Sequence, residues 1–195
     1  GTKVALVALL VLMVVVIGSI LMTVGIGQFS TMTQNNRRAA EVNSFVTSLT
    51  LARTEAVKRN STISVCTSKN GTSCTLGSDT DSARWELGSI VFVNSDGDSP
   101  PVVDGGELVL RIAPPVSGDI TVRGTGDFTT AISYQSNGFP ANVTTGGLFR
   151  FCDDRGATSA RAVIVSSTGR SRLSQDGADA DDTHEDAGGT NLTCP

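Results

Sequence analysis

The first 36 residues hold a single charge, Lys3, and no acidic residue precedes Glu41. An uncharged run from Val4 to Asn36 excludes an ordinary two-faced surface helix, because nothing on it would hold a solvated side. Histidine is nearly absent. His184 sits between Thr183 and Glu185 in an acidic tail and reads as a solvated side chain, so a Ser-His-Asp unit would lack its positioned base. The four cysteines, Cys66, Cys74, Cys152 and Cys194, lack the paired spacing of a zinc site, and one histidine complements them poorly. No Gly-rich phosphate loop and no nucleophile elbow occurs. These absences lead to the expectation of a protein that is not an enzyme and carries no resident cofactor. The last twenty residues, Asp176–Pro195, hold six acids and no Lys or Arg. Alone, such a segment would be a solvated tail, but Cys194 near its end suggests that it is pinned back.

What is present begins with Val4–Val24, which is apolar except for Gly18, Ser19 and Thr23. About 20 such residues span a bilayer as a helix. The run has no polar face to line a site, so lipid and other copies of the chain are its expected partners. Val4, Leu10, Val14, Ile17, Ile20 and Val24 are the candidate assembly residues. No turn signal follows, and the pattern becomes amphipathic over Ala39–Asn60. There Val42, Phe45, Val46 and Leu49 fall at i, i+3, i+4 and i+7, and Ala52 and Ala56 continue the stripe. One helix of that length would reach on the order of 85 Å. The expected organisation is a transmembrane or filament-core half (1–29), an amphipathic half (30–60) and a globular head (61–195). A cleaved signal peptide would need a small-x-small site before the amphipathic stretch. None is evident, which favours a retained anchor.

Charge divides along the same line. Residues 1–59 hold six Lys or Arg against two Glu, and residues 60–195 hold nine against seventeen; balances of +4 and −8 give the net −4. An acidic head argues against bulk attraction to nucleic acid. An even cysteine count confined to the region after one apolar segment suggests an exported head in an oxidising space. Cys66 and Cys74 flank Lys69-Asn70-Gly71, a hairpin-type turn signal, so they can face one another. Cys152 and Cys194 are then left to tie the tail to the sheet. Asn60 marks the expected helix stop.

Seven short segments beyond it read as strands: 62–66, 89–93, 107–113, 119–123, 131–135, 148–152 and 161–166. None alternates with a helix, so an antiparallel arrangement is expected. Aromatics are few, at 5% of residues. Trp85, Phe92, Tyr134, Phe149 and Phe151 are therefore the expected large core members.

The helix end Gln28-Phe29 … Gln34-Asn35-Asn36-Arg37 … Leu51-Ala52-Arg53-Thr54-Glu55-Ala56-Val57-Lys58-Arg59-Asn60 resembles the GspH/FimT group of type IV pilin-like proteins. Ile63-Ser64-Val65-Cys66, Cys74, Trp85 … Gly88-Ser89-Ile90-Val91-Phe92, Leu148-Phe149-Arg150-Phe151-Cys152 and Val163–Arg172 follow in that family's order. The resemblance implies an α+β, type IV pilin-like fold, with the second half of a long helix packed on an antiparallel β-sheet head. It also implies anchoring in the inner membrane with a periplasmic head, then assembly with other copies or related pilins into a pilus or secretion pseudopilus. One departure stands out. Such chains begin with a short leader ending in Gly, then Phe, with Glu four residues later. Counting back from Phe29 puts those positions at Leu6 and Leu10. The usual charge pairing of that Glu with a neighbouring N-terminus is therefore missing.

Two candidate ligand sites remain. Asn94-Ser95-Asp96-Gly97-Asp98 offers oxygen ligands at alternate positions, as calcium loops do, with Asn94, Asp96 and Asp98 as the ligand set. The distant bidentate Glu is missing, so a polar turn between strands is the favoured reading. Gly169-Arg170-Ser171-Arg172 is similar to a Gly-Arg-x-Arg segment associated with DNA binding in some FimT-like proteins. Arg170 and Arg172, helped by Arg161, could touch phosphates, but two contacts make a small footprint. A strand end with solvated arginines is preferred. The expected function is thus a filament subunit. The alternatives are a DNA-binding minor pilin and a membrane-anchored adhesion or interaction domain.

Overall fold

The computed structural model describes residues 1–75, 77, 79–177 and 183–194, and for residues 21–28 the backbone alone. One helix, α1 (Thr2–Arg59), contributes to two compact units, Gly1–Ala39 and Ala40–Pro195. It ends where the sequence predicts. Asn60 takes the left-handed conformation, φ 52°, and the Ser61 N–H reaches back to the Ala56 carbonyl at 3.3 Å. That is the Schellman stop, with asparagine in the place glycine usually fills.

Among the described residues the second unit contains eight strands: β1 (Thr62–Thr67), β2 (Ser89–Asn94), β3 (Val109–Ala113), β4 (Thr121–Gly124), β5 (Ala131–Tyr134), β6 (Gly147–Cys152), β7 (Arg161–Val165) and β8 (Ser171–Leu173). They form two four-stranded sheets, ordered β3-β2-β1-β5 and β4-β6-β7-β8. All their pairings are antiparallel. The fold is α+β, as expected, with the β-residues divided between two sheets. The eighth strand is an addition to the seven expected. It exists because Gly169, at φ 78°, turns the chain back, and Ser166 N–H donates to the Arg170 carbonyl at 3.0 Å. A Cβ at Gly169 would lie 2.5 Å from the Gly138 carbonyl oxygen, so the turn requires glycine twice over.

The amphipathic stripe of α1 is the third side of the core. Val42, Phe45, Leu49, Ala52 and Ala56 are buried against Ile63, Val65 and Val91 of one sheet and Phe149, Phe151, Val163 and Val165 of the other. The two alanines are fully buried, so they let the helix backbone come close to the sheets. Phe45 stands at the centre of an aromatic cluster. Its ring centroid lies 4.6 Å from Phe149, 5.5 Å from Trp85 and 5.6 Å from Phe151. Edge-on and tilted packings of this kind add to plain area burial. All five aromatics expected in the core are buried there, joined by Phe128.

The disulfides join Cys66 to Cys74 and Cys152 to Cys194, the pairing expected from the sequence. In the chain-entropy view the longer loop contributes about 4 kcal/mol and the shorter about 2.6. The hairpin expected at Lys69-Asn70-Gly71 is a side-chain-built loop instead. Asn70 Oδ1 accepts from the Thr72 and Ser73 N–H groups, while β1 spends its ladder on β2 and β5. A strand already paired on both sides has no edge left for a hairpin partner.

The buried carboxylate Glu86 ties the sheets' loops together. It accepts from Arg84 Nε at 3.0 Å, from Arg123 Nη1 and from the Val122 N–H at 3.1 Å. Burial pushes its pKa up, but the two arginines and the backbone N–H groups outweigh that and hold it below the ordinary glutamate value.

Candidate functional site

In the first unit, Thr2–Ile20 is helical with a mean hydropathy of 2.8, long and apolar enough to cross a membrane by length and composition. The candidate assembly residues there are exposed: Val4 at 76%, Val14 at 70%, and Leu10, Ile17 and Ile20 above half. Val24 is helical, but its side chain lies outside the described residues. Leucine, valine and isoleucine at more than half exposure throughout a 19-residue helix are not how a water-bathed helix is built.

The second unit brings Arg170 to a groove that the sequence reading missed. Leu49, Thr50, Arg53, Thr54, Val57 and Lys58 of α1 form one wall, and Gly169, Arg170 and Ser171 the other, around about 510 Å³. Arg53 bridges the walls, donating to the Thr168 carbonyl at 3.2 Å. Beneath the groove lies Tyr134. The Cβ position of Gly169 is 3.1 Å from its ring, and its hydroxyl has no hydrogen-bond partner among the described residues. Burial raises the phenol pKa, and only the nearby Arg53 charge opposes that shift.

The other arginines of the expected DNA contact do not converge here. Arg172 stands on β8 opposite Ile164 and is absent from the groove walls. Arg161 begins β7, at the far end from the 166–170 turn. Its Nη1 donates to the Ala160 carbonyl at 2.7 Å, and burial lowers its pKa. A half-buried guanidinium already spent on a carbonyl is poorly placed to assist Arg170.

At the candidate calcium loop, Asn94 is buried. Its Oδ1 accepts from the Gly97 and Asp98 N–H groups at 2.8 and 3.1 Å. Asp96 Oδ1 accepts from Asp98 N–H, and Asp98 Oδ2 from Val102 N–H. These oxygens accept from backbone donors of the turn, and Asp98 Oδ1 is buried with no hydrogen-bond partner among the described residues. Among the described residues no three His, Cys, Asp or Glu side chains group as a metal site. His184 departs from the solvated reading. It is half-buried, and its Nδ1 lies 2.8 Å from the Ser174 carbonyl and 3.1 Å from Ser174 Oγ, so it pins the tail to the end of β8.

The sequence over residues 41–169 matches the family model of the type II transport protein GspH. Two crystal structures of the type IV minor pilin FimU of Pseudomonas aeruginosa (strain PAO1) are similar to this chain. The P21 form is 21% identical, with 75% of this chain and 92% of that chain covered at a TM-score of 0.52. The P65 form is also 21% identical, with 71% and 90% covered at a TM-score of 0.49. No curated protein matches. The family match takes in 129 of the 195 residues. With its apolar helix, its aromatic core and its two disulfides, this chain belongs to the family of the type II transport protein GspH.

Proposed function

We infer that this chain is a structural subunit of a type IV pilus or type II secretion filament. Its apolar helix is anchored in the inner membrane before assembly and packs in the filament core afterwards, with the β-rich head outside in the periplasm or beyond the cell. The supporting observation is the apolar, exposed helix Thr2–Ile20, with Lys3 its one charged side chain, preceding a head of the GspH family. Without water between subunits, such helices associate by close packing. The chain needs neither enzymatic chemistry nor a cofactor for this role. The test is to purify surface and periplasmic filaments, image them and identify their protein by mass spectrometry. Filaments containing this chain are expected. A chain found only as an isolated membrane monomer would favour an anchored interaction domain instead.

A DNA-uptake role is the second reading, favoured by the approach of Arg170 to Arg53 and Lys58 in one groove. Against it stands the −8 balance of residues 60–195, which repels a polyanion at low salt. The chain beginning at Gln28 is expected not to retard duplex DNA at moderate salt, with or without Arg170→Ala and Arg172→Ala. Micromolar binding lost in the double variant, with a salt slope reduced by nearly 2, would establish the DNA reading.

A further inference from the structure

The groove between α1 and the 168–171 turn is cationic at its rim and apolar at its base. Arg53, Lys58 and Arg170 carry its charge, and Leu49 and Val57 its apolar surface. Val57 is 55% exposed there. Lys58 shares Glu55 at 3.4 Å. No acid among the described residues makes an ion pair with Arg53 or Arg170. Three other arginines of the head do pair with acids. Arg84 and Arg123 pair with Glu86, and Arg155 with Asp153.

The same chain holds four acids in seven residues, Asp176, Asp179, Asp181 and Asp182, with only Gly177, Ala178 and Ala180 between them. That spacing offers carboxylates on small-residue backbone that can approach closely. We propose that the groove lined by Arg53, Lys58 and Arg170 docks the acidic stretch 176–182 of a second copy of this chain. The proposal rests on the filament reading above.

The described residues at both ends of the stretch are held away from the groove of their own subunit. Ser174 is bonded to Ala162, so the chain after β8 continues away from the 166–170 turn. Asp176, six residues past Arg170, lies about 20 Å along that path. The Asp176–His184 bridge ties both ends of the stretch together there. Charge complementarity satisfied between copies gives neighbouring heads a direction as well as a contact. Duplex DNA, a competing polyanion, is the other occupant the charges would admit.

The full chain in its own membrane tests this, with a photo-crosslinking benzoylphenylalanine replacing Val57 in one copy and an epitope-tagged second copy beside it. A parallel probe at Val14 reports helix-mediated assembly independently. The expected result is a two-copy product at both probes, with the Val57 product mapping by mass spectrometry to residues 173–187 of the tagged copy. Arg53→Glu with Arg170→Glu should lower the Val57 product about tenfold while leaving the Val14 product unchanged. Asp179→Lys, Asp181→Lys and Asp182→Lys in the second copy should restore it, which no misfolded groove would do. A Val57 product mapping elsewhere, within the same copy or to DNA overturns the proposal. So does its absence while Val14 still crosslinks, and the filament reading then survives. Loss of both products overturns both.

Discussion

Val14→Asp is expected to abolish filaments or membrane retention. Val14 lies near the middle of Thr2–Ile20 and is 70% exposed. A carboxylate at the centre of a membrane helix costs about 3 kcal/mol on insertion scales. In a packed core of apolar helices the charge finds no cationic partner, because Lys3 is the only charge before Arg37. The head does not depend on this residue. Its core is drawn from Val42 onward, so a chain beginning at Gln28 should stay folded and soluble. Val14→Leu, which keeps the apolar volume, should assemble as the parent does. Filament yield by electron microscopy and partition into the membrane fraction decide the matter. Normal filaments from the Val14→Asp chain would sink the assembly reading.

Phe45→Ala should produce the largest loss of head stability. Removing a buried phenylalanine costs about 3–5 kcal/mol, the spread depending on how far the cavity collapses. Little collapse is available here. The ring is held by Trp85, Phe149 and Phe151, and Phe149 in turn stacks on Phe128 at 5.5 Å. The chain beginning at Gln28 should therefore unfold about 10 °C lower, with the denaturant midpoint falling in step. Phe45→Leu should lose less than half as much. The disulfides remain in place and limit how far the unfolded chain expands, so the transition should stay measurable. A Phe45→Ala chain within 1 °C of the parent would show that the helix is not anchored through this ring.

Much of this was legible in the chain because it rests on local period and local chemistry. An uncharged apolar run, a stripe at i, i+3, i+4 and i+7, and an asparagine stop are properties of neighbouring residues. They locate the membrane-length helix, its core face and its end without reference to the rest of the protein. Seven of the eight described strands fall within a residue or two of their expected ends, since β-branched runs between turn residues are likewise local.

The groove was only half legible. Leu49, Arg53 and Val57 share a helix face at i and i+4, but that the 168–171 turn lies against that face depends on sheet order, which the spacing of residues does not encode. The same holds for two polar side chains. His184 looks solvated between Thr183 and Glu185, yet the Cys152–Cys194 bond and the Asp176 bridge bring it onto Ser174. Asn94 Oδ1 accepts from the backbone of its own turn, a contact that residue spacing alone does not reveal.

The sequence by itself therefore determined the apolar helix, the amphipathic face and the antiparallel class, because each follows from residues a few positions apart. Only the tertiary structure decided the division into two sheets, the existence of β8 and the meeting of Arg53 with Arg170. Those depend on which distant segments share a surface, and that is settled by burying the aromatic core around Phe45 as a whole.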